Sequence, residues 1–136
     1  MAMLDVLEAQ LIVDEGKRNV MYYDSLHVPT LGIGHALTRP ISEAAIRQIF
    51  VDDTAQAIDD AKHLFPSFDT LSEARQAVLS NMSFNLGLTR LSQFHDLRTA
   101  IAGEDFEAAA AAMLDSTWAT QVGARATRLA QTMKEG

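Results

Sequence analysis

One stretch near the N-terminus departs from helical patterning, and it limits what the chain can fold into. Between Asn19 and His35, Val20, Tyr22, Tyr23, Val28, Thr30 and Ile33 are mixed with Pro29, Gly32 and Gly34. Aromatic and β-branched residues punctuated by turn formers suit short extended strands, so a small hairpin or meander is expected. Before it, Leu4, Leu7, Leu11 and Ile12 recur at three- and four-residue spacing, with Asp5, Glu8 and Gln10 between them. That is the pattern of an amphipathic helix ending near Glu15-Gly16.

Beyond Pro40 the pattern is helical to the end. Ser42 can cap a helix through about Phe50, and Asp53 a second one whose stripe of Ala57, Ile58, Ala61 and Leu64 stops before Pro66. Thr70-Leu71-Ser72-Glu73 has capping-box spacing, with a helix through Val78, Leu79 and Met82 that Gly87 ends. His95 to Ala102, Phe106 to Met113 and Ala124 to Met133 read as shorter helices. Five alanines at Ala108 to Ala112 favour helix and close packing. The methionines and Trp118 read as core.

The fold class expected from this order is α+β, with a small antiparallel β lobe beside a larger, mainly helical lobe. At 136 residues and 48% hydrophobic, with no linker or repeat, the chain reads as a single domain over 1–136. About 16–40 would form the sheet-containing lobe, and the first helix plus 41–136 the helical body. The junction of the lobes is the expected cleft.

Lysine and arginine total 11 against 18 acids, a net charge of −7, so nucleic acid is an improbable partner. There are no cysteines, which excludes disulfides and thiolate chemistry. His27, His35, His63 and His95 lack metal-ligand spacing, and Asp52-Asp53 and Asp59-Asp60 lack a calcium-loop pattern, so no metal or other cofactor is expected. Gly32 and Gly34 begin a dinucleotide fingerprint, but its third glycine would fall at Leu37. Acids among the first eight residues argue against an export signal, and no run of about 18 apolar residues could span a membrane. Synthesis as a soluble cytoplasmic monomer is the expectation.

Carboxylates are the remaining reactive groups. Glu15 ends the first helix, Asp24 follows in the hairpin, and Thr30 comes six residues later. Two carboxylates on different elements with a hydroxyl nearby can supply the acid, the second carboxylate and the water-orienting group of glycoside hydrolysis. With 18 acids in 136 residues the spacing alone is weak. Read in isolation, Glu15 is a helix-end surface residue and Asp24 a turn residue.

Glu15-Gly16, Tyr23-Asp24 and Thr30-Leu31-Gly32-Ile33-Gly34-His35 together resemble the catalytic segment of the phage-type lysozymes, the endolysin branch of the glycoside hydrolases. Phe84-Asn85-Leu86-Gly87, with Arg75 on the preceding helix, resembles that family's second hallmark. Ser116-x-Trp118 with Gln121, Arg125-Ala126 and Arg128 resembles its third. The resemblance therefore runs along essentially the whole chain.

It implies that Glu15 is the general acid, Asp24 the second carboxylate and Thr30 the residue placing the attacking water. The bond would be the β-1,4 link between N-acetylmuramic acid and N-acetylglucosamine in bacterial peptidoglycan, cleaved for host lysis by a phage or prophage. A partner such as a holin would give access to the wall. The scheme asks Glu15 to hold its proton, which partial burial favours. Gly34, Phe84 and Asn85 would line the sugar site, Phe84 being equally suited to the core. His35 would pair with an acid of the connecting helix, Asp53, and Arg125 would approach the catalytic glutamate.

Two features depart from the family. His27 stands where glycine is common, which bears on the hairpin turn or on reach toward substrate. The negative charge also opposes approach to an anionic wall, unless Arg125, Arg128 and Lys134 gather near the cleft. A lytic transglycosylase would also use a glutamate, but it has less use for Asp24 and Thr30. An inactive wall-binding or tail-structural module would keep the fold alone.

Overall fold

The computed structural model describes residues 2–136. Two compact units make up the chain, Met1–Ile46 and Arg47–Gly136. The elements realise the expected α+β class, with one small antiparallel sheet and otherwise helices.

In the first unit, helix α1 (Met3–Glu15) ends at Gly16, whose φ of 82° lies in the left-handed region that favours glycine. None of the helix is buried, and Leu4 of the expected apolar stripe is 67% exposed. Strands β1 (Arg18–Tyr23), β2 (Pro29–Gly32) and β3 (His35–Ala36) form an antiparallel meander in the order β1-β2-β3. Tyr22 pairs with Thr30 and Tyr23 with Pro29, and the register is irregular between Arg18 and Tyr22. Thr30 also pairs with Ala36, and Leu31 with His35. Thr30 is the buried residue of this unit among the described residues. A segment this short has little core of its own, so backbone ladders and turn bonds set its shape.

Helix α2 (Glu43–Leu64) corrects the expectation of two helices meeting near Asp53. Ser42 caps it as expected, its Oγ accepting from Ala45 N at 3.1 Å. No glycine or proline lies between Pro40 and Pro66, so nothing stops the helix at Phe50. Asp53 is therefore interior and exposed, and Thr54 folds its hydroxyl back onto the Phe50 carbonyl at 2.8 Å.

A second correction concerns the capping box. Thr70 lies in a 3₁₀ turn, Phe68–Thr70, where its hydroxyl donates to Ser67 O at 2.7 Å. The cap of α3 (Glu73–Leu86) is Ser72, whose Oγ accepts from Arg75 N at 3.1 Å. Gly87 ends that helix as expected.

After α3 come α4 (Leu88–Ser92), α5 (His95–Ala102), α6 (Phe106–Leu114), α7 (Thr117–Val122) and α8 (Ala124–Glu135). The sequence pattern had not marked α4 and α7, because five or six residues are too few to show a helical period. Phe65, Leu79, Met82, Leu91, Leu97, Ile101, Met113 and Met133 are fully buried in the second unit. Ala109 and Ala110 of α6 and Ala126 and Ala130 of α8 belong to the same core. Small residues on both helices let the backbones approach, which is the packing use of the alanine run. Trp118 joins the core at 3% exposure, edge-on to Phe94.

Candidate active site

The first unit carries Glu15, Asp24, Thr30, Gly34 and His35. Glu15 is the last residue of α1, and its carbonyl accepts a hydrogen bond from the Tyr22 hydroxyl at 3.2 Å. Its side chain lies against Gly34. A Cβ built there would meet Glu15 Cβ and Cγ at 3.0 Å and Cδ at 3.3 Å. Gly34 also has a φ of 67°, so two separate constraints require glycine at the point where Glu15 is seated. Glu15 is exposed at the end of the helix.

Asp24 organises the turn between β1 and β2. Its Oδ1 accepts from Leu26 N and Val28 N, both at 2.8 Å, while its own N–H donates to Val28 O at 3.0 Å. A side chain closing its own turn in this way is a characteristic use of aspartate, and it fixes the carboxylate's orientation. His27 adopts a φ of 64° within this turn. The hairpin therefore keeps a glycine-like conformation despite the imidazole. Thr30, 3% exposed, donates its hydroxyl proton to Val28 O at 2.8 Å. Its oxygen is left to act as an acceptor. Val28 thus links Asp24 and Thr30 through its amide and carbonyl.

His35 Nε2 is shielded from solvent with no hydrogen-bond partner among the described residues, and Asp53 lies exposed on α2.

The second unit carries Phe84, Asn85 and Arg125. Phe84 is 55% exposed on α3, so it is not ordinary core. Asn85 Oδ1 accepts from Trp118 Nε1 at 2.8 Å, which satisfies the buried indole and fixes the amide's orientation. Arg125 directs Nε and Nη2 to Asn81 Oδ1, at 3.1 and 2.6 Å. Sequence reasoning did not single out Tyr22, Asn81 or the polar role of Trp118. Asn81 and Trp118 act on residues 44 and 33 positions away, and Tyr22 on one seven positions back across a change from helix to strand, pairings that spacing does not signal.

Residues 13–133 match the phage lysozyme family. The pre-baseplate central spike protein Gp5 of Enterobacteria phage T4 is 27% identical over 152 residues, covering 90% of this chain and 26% of the spike protein. The chain thus corresponds to about a quarter of that relative's length. A Dictyostelium discoideum protein described as "Probable T4-type lysozyme 2" is 26% identical over 164 residues, covering 98% of this chain and 96% of its own. With a match across residues 13–133 and the α+β fold in place, the chain belongs to the phage lysozyme family.

Proposed function

We propose that the protein is a peptidoglycan hydrolase, a glycosidase acting on the β-1,4 bond between N-acetylmuramic acid and N-acetylglucosamine. The observation that carries the reading is the seating of Glu15 against Gly34 at the end of α1, in one unit with a turn built on Asp24 and Thr30. Family membership supports the substrate class.

In this scheme Glu15 gives its proton to the glycosidic oxygen as the bond to the leaving sugar breaks. Asp24, its orientation fixed by two amide donors, is the second carboxylate facing the positive charge that develops on the sugar ring. Thr30 takes a hydrogen bond from the attacking water on the oxygen that its bond to Val28 leaves free. In the second unit, Asn85, its amide oriented by Trp118, and the exposed ring of Phe84 are the sugar-binding residues that the family resemblance implies. The biological setting belongs to the same proposal: synthesis in the host cytoplasm, a holin-type partner for passage to the wall, and host lysis by a phage or prophage.

Mass spectrometry of fragments released from purified peptidoglycan tests it. Wild type should release chains ending in reducing N-acetylmuramic acid, and Glu15→Gln should release none while its melting temperature stays near wild type. Anhydro ends would assign the protein to the lytic transglycosylases. The similarity to part of a spike protein favours a second reading, a structural module. Absence of any fragment from folded wild type would select it.

A further inference from the structure

The turn that Asp24 closes carries a feature that the hydrolytic scheme does not use. The rings of Tyr23 and His27 are stacked, with centroids 4.8 Å apart and an interplanar angle of 15°. The pair does not serve a core, because Tyr23 is 56% exposed and His27 is exposed as well. His27 holds its ring there from a φ of 64°, a left-handed conformation disfavoured for any residue with a Cβ. Strain of this kind persists where the surrounding structure fixes it, and it concentrates at functional positions. The fixing groups are visible: Asp24 Oδ1 binds the amides on either side of His27, and His27 N donates to Asp24 O at 2.9 Å. The backbone that carries the His27 ring is therefore tied to the carboxylate's own turn.

We infer that an exposed outer face of the Tyr23–His27 stack is a platform for one pyranose ring of the glycan; this rests on the hydrolase reading for Asp24, whose turn carries both rings. A pyranose presents patches of weakly positive C–H groups between its hydroxyls, and the electron-rich face of an aromatic ring attracts them. A platform already held flat loses little freedom when a sugar settles on it. The contact is the same before and during bond cleavage. It strengthens substrate binding uniformly and leaves the chemical step alone.

Initial rates on solubilised peptidoglycan strands should show KM raised roughly three- to tenfold in Tyr23→Ala and His27→Gly, with kcat within about twofold of wild type; tenfold corresponds to about 1.4 kcal/mol. Tyr23→Phe keeps the ring and should restore the wild-type KM. His27→Gly suits the local φ, so lost folding would not explain its effect. An unchanged KM in both variants, or a fall in kcat instead, overturns the platform while the hydrolase reading stands. If wild type cleaves nothing, the hydrolase reading fails, and NMR decides the platform separately. Shifts of the Tyr23 and His27 ring protons on titration with an N-acetylglucosamine oligosaccharide would uphold it; resonances that stay in place would refute it.

Discussion

Replacing Gly34 by alanine should reduce activity far more than stability, and Gly32 supplies the control. Both glycines have left-handed φ angles, 67° and 68°, so a Cβ at either position costs roughly 1–2 kcal/mol of backbone strain. What differs is the space around the new methyl. At Gly32 it meets nothing within 4 Å, whereas at Gly34 it meets Glu15 Cβ and Cγ at 3.0 Å. Rotation about χ1 takes Glu15 Cγ and the carboxyl aside, but Cβ is fixed to the backbone, so the end of α1 must also give by a few tenths of an ångström. A displacement of about 1 Å at a reacting group is enough to lower the rate on the order of 100-fold. Gly32→Ala should therefore lose about 1–2 kcal/mol in urea denaturation, and Gly34→Ala that much plus the cost of shifting the end of α1. Cleavage of purified peptidoglycan should fall about 100-fold in Gly34→Ala and only severalfold in Gly32→Ala. Equal activity in the two variants would refute the argument that the missing Cβ at Gly34 seats Glu15.

Two further outcomes separate structural from chemical roles. Asp24→Asn keeps an oxygen for the amides of Leu26 and Val28, so its melting temperature should stay near wild type while cleavage collapses. Asp24→Ala should lose both cleavage and about 1–2 kcal/mol, because it leaves the turn amides without their acceptor; calorimetry with the fragment assay reads the two effects. In the second unit, Arg75 donates to Met133 O at 2.8 Å and Lys134 O at 3.2 Å, with its guanidinium 3.5 Å from the centre of the Phe106 ring. Arg75→Ala should cost about 2 kcal/mol and speed amide exchange in the last turn of α8, with Arg75→Lys recovering little of it because a point charge cannot reproduce the planar fork.

Much of the local architecture was legible in the residues. Gly16 and Gly87 end their helices and Ser42 starts one because these effects act within a few residues. The mixture of β-branched, aromatic and turn-forming residues marked the meander for the same reason. Errors arose where a local signal had two uses. Aspartate can cap a helix or sit on its exposed face, and Asp53 does the latter because no breaker precedes it. In Thr70-Leu71-Ser72-Glu73 two hydroxyls compete for one cap, and the preceding 3₁₀ turn engages Thr70 first.

The sequence by itself determined the class of elements, their order, and the presence of Glu15, Asp24 and Thr30 at positions resembling a phage lysozyme. Tertiary structure decided what holds those groups: Gly34 under Glu15, Val28 joining Asp24 to Thr30, Trp118 orienting Asn85, and Asn81 engaging Arg125. It also set the ring of His27 against that of Tyr23. Capping and periodicity depend on near neighbours along the chain, so the order of residues reveals them. Seating and orientation depend on distances between residues brought together by folding, and a linear order of side chains carries no such distances.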